Sequence, residues 1–256
     1  MTAPRPPDAD PAALAGDVVR MAGPVLVGLD VDGVLAPIVD HADDARLLPG
    51  MLEAVEELAE VTPVAVVSGR RLADLHGFGF DEPIELFGTH GLERGGTAGA
   101  VLAPDEQRRY DRLRTVAEDA ATLAGDGAWV ELKALGVVLH VRQADPARAE
   151  VAVAEAMRLA DDVTDAHVKQ GKSVAELLVR ATSKAAAIVT LRQEEGAAAV
   201  VFLGDDATDE EVFAALGPDD LGIRVGPGAT AATARLADPD AVLTFLRTLA
   251  RALAPG

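Results

Sequence analysis

Residues 24–35 read PVLVGLDVDGVL, and the fold turns on this stretch. Its first half, 24–29, is an unbroken apolar run of the kind that forms a strand buried on both faces of a parallel sheet. Polarity then switches at once, to Asp30, Val31, Asp32 and Gly33. In open α/β sheets ligands bind beyond the carboxyl ends of the strands, where such a switch is expected. The same pattern recurs along the chain. Residues 64–67 (VAVV) run into Ser68-Gly69-Arg70, and 84–87 (IELF) into Gly88-Thr89-His90-Gly91. Residues 199–203 (AVVFL) run into Gly204-Asp205-Asp206-Ala207-Thr208-Asp209. A further strand is expected at 221–225, with helices at about 49–60, 184–194, 209–216 and 239–253. Strands alternating with helices predict an α/β, doubly wound, mostly parallel, Rossmann-like sheet.

Between these two halves the rhythm changes. After a glycine-rich stretch (95–104), a polar helix is expected over 105–123. Strands at 129–134 and 137–142 flank Leu135-Gly136 as a hairpin, followed by a helix at 146–159 and strands at 166–169 and 174–179. This pattern reads as a small α+β insert with a partly antiparallel sheet. The expected organisation is a flexible tail (1–15), a core built from 16–103 and 183–256, and a cap inserted at 104–182.

Composition narrows the function. The 256 residues carry 23 basic and 42 acidic side chains, a net charge of −19. A general nucleic-acid binder needs clustered Lys and Arg, and an anionic membrane surface would repel such a chain. With no cysteine, thiolate nucleophiles, Cys-zinc sites and iron–sulfur clusters are excluded. No apolar run approaches the roughly 18 residues of a membrane span. The N-terminal MTAPRPPDADP is polar and proline-rich, without a signal-peptide core. A soluble, cytoplasmic protein with no nucleic-acid or membrane partner is the expectation. Only four of the basic residues are lysines (Lys133, Lys169, Lys172, Lys184), so each is a candidate for a specific role.

A single Asp-x-Asp or Ser-Gly-Arg at a strand end is usually a cap or a turn. Acids, a serine and a lysine at successive strand ends of one sheet are harder to explain separately. Five carboxylates drawn together would repel one another without a cation, and a hard, all-oxygen set suits Mg²⁺. Asp30 and Asp32 point to opposite sides of an extended segment. Unless the chain turns at Gly33, they cannot chelate one ion as side chains, and the more natural expectation is that Asp30 gives its carboxylate to the ion and Asp32 its backbone carbonyl.

Asp30-Val31-Asp32-Gly33-Val34-Leu35, Ser68, Lys184 and Gly204-Asp205-Asp206 resemble, in that order, the four motifs of haloacid-dehalogenase-type (HAD) phosphatases. The likeness is closer still to the trehalose-6-phosphate phosphatases. It is carried by residues 32–38 (DGVLAPI), Ser68-Gly69-Arg70, Gly88-Thr89-His90-Gly91, Glu131-x-Lys133, His140-x-Arg142 and 204–210 (GDDATDE). The ending, from Val225-Gly226 through Thr230-Ala231 to Leu236-Ala237-Asp238-Pro239, resembles that family too. Two positions depart from it: Val34 stands where the family usually has Thr, and Ala185 where it usually has Gly.

The resemblance implies a Mg²⁺-dependent hydrolysis of trehalose 6-phosphate through an aspartyl-phosphate on Asp30. Asp32 would act as general acid and then general base. Ser68 and Lys184 would hold phosphoryl oxygens, with Gly69 and Arg70 beside them. Mg²⁺ would rest on Asp30, the Asp32 carbonyl and Asp205. Asp206 would reach it through water, and Asp209 through water or by orienting Lys184. Glu131 and Lys133 share a face of one strand, Lys172 follows Gly171, and Glu176 lies on the next strand. Together with Arg142 they would hold sugar hydroxyls, which both donate and accept. His90 is expected to be structural or a hinge. A pathway partner, a trehalose-6-phosphate synthase, and a monomeric state are expected. The nearest rival is a phosphatase of the same build for sucrose 6-phosphate or a glycosyl-phosphoglycerate. A phospho-acceptor signalling domain would span roughly half this length.

Overall fold

The computed structural model describes residues 6–39, 41, 44–95, 102–133, 135–171, 173–180 and 183–254. It divides into two compact units, Met1–Thr97 with Ser183–Gly256, and Ala98–Thr182.

The first unit holds α1 (Pro11–Val19), β1 (Val25–Leu29), α2 (Met51–Ala59), β2 (Val64–Val67), α3 (Leu72–Gly77), β3 (Glu85–Gly88) and β4 (Glu93–Arg94). The second holds α4 (Pro104–Ala124), β5 (Trp129–Lys133), β6 (Gly136–His140), α5 (Pro146–Asp161), β7 (His167–Gly171) and β8 (Val174–Leu178). The first then resumes with α6 (Lys184–Glu195), β9 (Ala199–Gly204), α7 (Asp209–Ala215), β10 (Leu221–Val225), β11 (Ala234–Leu236) and α8 (Pro239–Leu253).

The fold is mixed α/β, as expected. The central sheet has the order β11-β10-β9-β1-β2-β3-β4, parallel except for the antiparallel edge strand β4. Every residue of β1, β2 and β9 is buried, which is why these strands read as continuous apolar runs rather than alternations. One sheet face carries Leu14, Met51, Leu58, Phe245, Leu246 and Leu249 in a common cluster, and the other Ile188, Leu191, Phe202 and Phe213. The closing helix α8 starts where Asp238 accepts a bond from the Ala241 N–H, with Pro239 in its first turn. Each large side chain that it buries contributes about 1.5–3 kcal/mol.

The strand order places the site. From β1 the chain winds one way to β2 and β3, and later the other way through β9 to β10. The carboxyl end of β1 is thus the point where the winding direction reverses, and a crevice opens there.

Three local expectations need correction. The tail expected over 1–15 stops short of Pro11, where helix α1 begins with Asp10 as its cap. Leu14, Ala15 and Val18 of that helix are buried in the core, so its apolar spacing outweighs the proline-rich prefix. The short α3, β4 and β11 were not expected, because two to six residues carry too little periodicity to register. The hairpin strand expected at 137–142 runs instead from Gly136 to His140.

In the second unit the antiparallel sheet has the order β5-β6-β8-β7. Val137, Leu139, Ala175 and Leu177 are buried on one face, and α4 and α5 pack against its strands. By alternation the other face carries Trp129, Glu131, Lys133, His140, Glu176 and Lys169.

Candidate active site

A cavity of 330 Å³ at the carboxyl end of the central sheet is lined by Asp30, Asp32, Ser68, Gly69, Arg70, His90, Lys184, Asp205 and Asp206, with Arg71 and Asp74 at its side. Asp30 follows β1 directly, Ser68 follows β2, and Asp205 follows β9. Gly33 has φ +75°, and a Cβ there would collide with the Asp205 carboxylate. Glycine lets the turn after Asp32 bend back while Asp205 lies against it.

Lys184 opens helix α6, whose cap is Ser183 accepting a bond from the Ala186 N–H at 3.1 Å. Its Nζ lies 2.9 Å from Asp30 Oδ2 and donates to Asp209 Oδ1 at 2.8 Å. All three side chains are almost completely buried. Both Asp209 oxygens are engaged, since its Oδ2 accepts the backbone N–H groups of Asp205 (2.8 Å) and Asp206 (3.1 Å). Asp206 Oδ1 accepts from the Thr208 N–H and hydroxyl, both at 2.8 Å, and from the Asp209 N–H. Asp32 turns the other way. Its two oxygens accept Nε and a terminal nitrogen of Arg70, both at 2.8 Å, a bidentate pair. The Arg70 guanidinium lies 5.2 Å from the Phe78 ring centre. Ser68 is buried, and its Oγ accepts the Arg70 N–H at 3.3 Å.

The electrostatics show a deficit of positive charge. Burial pushes Asp30 up to about 8, against the pull of Lys184 and with the push of Asp209. Burial, with the charges of Asp209 and Asp206, raises Asp205 to about 6. Burial also raises Asp209 despite Lys184. Burial works against the Lys184 charge, but Asp30 and Asp209 outweigh it and hold the ammonium above its ordinary range. At Asp206 the bonds from Thr208 and the charge of Lys184 overcome burial, so its carboxyl lies low. One ammonium therefore faces several carboxylates. Oxygens of Asp30, Asp205 and Asp209 lie within 4.8 Å of one another. Such an all-oxygen, electron-rich set fits a hard divalent cation.

The residues expected to bind sugar all belong to the second unit. Glu131, Val138, Glu176 and Lys169 stand in one row across the four strands, so the two carboxylates share a face. Glu131 Oε2 bonds His140 Nε2 at 2.9 Å, and the His140 ring stacks on Trp129 at 4.0 Å between centres. Arg142 is exposed two residues beyond the end of β6, in a separate 720 Å³ cavity beside α5 with Met157, Val153 and Gln170. The structure does not bring it into the Glu131–Glu176 row. Lys172 lies outside the described residues. Lys169, Trp129 and His140 are additions of the structure. The rarity of lysine had pointed to Lys169 and the family-like His140-x-Arg142 to His140, while nothing in the sequence singled out Trp129. His90 lies inside the first cavity, where its strand-end turn alone could not place it.

The trehalose-phosphatase family profile matches residues 28–239. The chain is 33% identical to the trehalose-6-phosphate phosphatase of Escherichia coli K12, over 88% of this chain and 86% of that protein. It is 36% identical to the trehalose-phosphate phosphatase of Mycobacterium tuberculosis H37Rv, over 89% of this chain but only 61% of that longer protein. The Aspergillus fumigatus trehalose-6-phosphate phosphatase structure superposes with a TM-score of 0.69, covering 96% of this chain and 99% of that one at 24% identity, a likeness of fold. Among the described residues no helix is long and apolar enough to cross a membrane. With a family profile spanning most of its length and relatives above 30% identity, the chain belongs to the trehalose-phosphatase family.

Proposed function

We propose that this protein hydrolyses trehalose 6-phosphate to trehalose and phosphate, with the first unit catalytic and the second reading the sugar. The observation that carries the reading is the buried Asp30–Lys184–Asp209 triad at the reversal point of the sheet, whose Asp30 and Lys184 line one cavity with Asp32 and Ser68.

Asp30 attacks phosphorus, the bond from phosphorus to the sugar oxygen breaks, and Asp32 gives that oxygen a proton. Asp32 then takes a proton from water as the water attacks the aspartyl-phosphate. The acyl-phosphate P–O bond breaks and Asp30 returns as a free carboxylate. For either transfer Asp32 has to release one oxygen from its bidentate pair with Arg70, which leaves a guanidinium N–H for a phosphoryl oxygen. The Lys184 ammonium and the Ser68 hydroxyl stabilise charge on the transferring group. Asp30, the Asp32 carbonyl and Asp205 would hold Mg²⁺, with Asp206 through water and Asp209 orienting Lys184. When bound, the ion offsets the repulsion between the Asp30 carboxylate and a phosphate dianion.

For the sugar, Glu131, Lys133 and Glu176 supply charged partners to hydroxyls, with Arg142 and Lys172 as further candidates. The test is phosphate release from a panel of sugar phosphates, with Mg²⁺ and with chelator. Trehalose 6-phosphate as the preferred substrate, silenced by chelator, supports the reading. Preference for sucrose 6-phosphate or a glycosyl-phosphoglycerate sinks it.

A further inference from the structure

Near the cavity the backbone is strained at two adjacent residues with side chains. Thr89 (φ 49°) and His90 (φ 55°, ψ 37°) both lie in the left-handed region, inside the single 3₁₀ turn Thr89–Gly91. Neither is glycine, so both Cβ atoms resist this conformation. Such strain persists only where the surroundings over-determine it, and it concentrates at functional sites.

The surroundings here do so. The Ser68 N–H donates to the Phe87 carbonyl at 2.9 Å, the His90 N–H to the Ser68 carbonyl at 2.9 Å, and the Thr89 N–H to the Arg70 carbonyl at 2.7 Å. The Thr89 hydroxyl donates to Glu93 Oε1 at 2.7 Å, and Glu93 Oε2 accepts the Leu72 N–H at 2.7 Å. The turn after β3 is thus laced to the turn after β2 at each residue from 68 to 72 that can bond, except 69 and 71. At 69 the His90 ring takes over. A Cβ on Gly69 would lie 2.7 Å from His90 Cε1 and 2.8 Å from its Nε2. Gly69 is not among the glycines with positive φ, so its backbone would accept alanine. What excludes a side chain there is the imidazole.

We infer that His90 is a positioning residue for the reaction: its ring, seated on Gly69 by the strained turn, holds the Ser68-Gly69-Arg70 loop in the geometry that presents the Ser68 hydroxyl and the Asp32-bound Arg70. The inference rests on the function proposed above for that loop. Ring and glycine form a complementary pair. Losing the ring lets the loop relax away from the reacting phosphoryl group, where displacements of about 1 Å cost about a hundredfold. Because the loop serves the transferring group rather than the sugar, the loss falls on kcat.

A double-mutant cycle tests this, with Gly69→Ala, His90→Gly, His90→Asn and the double variant Gly69→Ala/His90→Gly, each read by kcat, KM and thermal unfolding. Asparagine tolerates the left-handed conformation and keeps a polar group without the ring. Gly69→Ala alone should lower kcat about 10- to 100-fold and lower the unfolding temperature. In the His90→Gly background the same alanine should cost less than about threefold and no further unfolding temperature, since the vacated space accepts the methyl. His90→Asn should lower kcat about tenfold with KM within about twofold of the parent. Equal costs of Gly69→Ala in both backgrounds would overturn the pairing. A His90→Asn variant with parental kcat, or with raised KM alone, would overturn the positioning role. Should the parent protein hydrolyse no sugar phosphate, the proposed function fails. The unfolding cycle would still decide whether ring and glycine are paired.

Discussion

The two sheets use charge in opposite ways. In the seven-stranded sheet Lys184, Asp30 and Asp209 are about 95% or more buried and each is bonded to another member of the triad. In the four-stranded sheet Glu131, Lys133, Glu176 and Lys169 stand on a face that α4 and α5 leave uncovered, and Trp129 is 53% exposed. Burial raises the Asp30 and Asp205 carboxyls and makes each charge strongly dependent on its neighbours. The open face keeps water around its charges, which suits groups that must exchange water for sugar hydroxyls. In the proposed function the core stabilises charge changing during reaction, and the open sheet selects what carries it.

The largest break between the two would come from Asp30→Asn. Phosphate release should fall by more than about a thousandfold, because the proposed nucleophile and its partners act as a unit. Near-normal release would remove the mechanism. Next comes a matched pair of substitutions. Lys184→Met leaves Asp30 and Asp209 buried without their cation and should cost about 3–5 kcal/mol in denaturant unfolding. Lys133→Met on the open face should cost no more than about 0.5 kcal/mol. Similar costs would erase the contrast.

The open face is probed more finely by Glu131→Gln and Glu176→Gln. Each removes charge from a hydrogen bond worth about 1.5–3 kcal/mol, and should reduce kcat/KM for the disaccharide phosphate about 10- to 100-fold. Hydrolysis of a small aryl phosphate should stay nearly unchanged. Equal losses on both substrates would mean that these carboxylates support the fold rather than the sugar.

A further contrast concerns pH. Asp30, at about 8, and Asp205, at about 6, both lie above the ordinary 3.8. In metal-free protein the folded chain keeps protons that the unfolded chain has already lost, so stability should fall as pH rises from about 4 to about 8. A divalent cation binding the ionised carboxylates should restore it, raising the melting temperature by several degrees more at pH 8 than at pH 5. Calorimetry with Mg²⁺ and with chelator measures this. A melting temperature flat with pH in chelator would show that these carboxyls are not uncompensated.

Much of the site was legible because its parts are local. Apolar runs of 4–6 residues ending in acids or Ser-Gly-Arg mark parallel strands and their carboxyl ends wherever both faces are buried. Asp30, Ser68 and Asp205 could therefore be assigned to one end of one sheet before any contact was known, whereas Lys184, which opens helix α6, entered through the family resemblance. Helix α1 was not legible, because three buried residues after a proline-rich prefix carry little periodic signal. The row Glu131–Val138–Glu176–Lys169 depends on strand register, which local alternation leaves open.

From the order of residues alone came the parallel core, the interruption by a second unit, and the acids and serine gathered at the strand ends. Periodicity and composition act between near neighbours, so they can be read without a fold. Which groups touch was decided only when distant segments met. Asp32 could not be assigned to Arg70, 38 positions away, from spacing, and the pairing of Lys184 with Asp209, 25 away, entered only as one of two roles the resemblance left open. The reason that residue 69 is glycine lies in a histidine 21 positions later, whose ring occupies the space of the missing side chain. Such pairings are set by packing among segments far apart in the chain, and no local pattern encodes them.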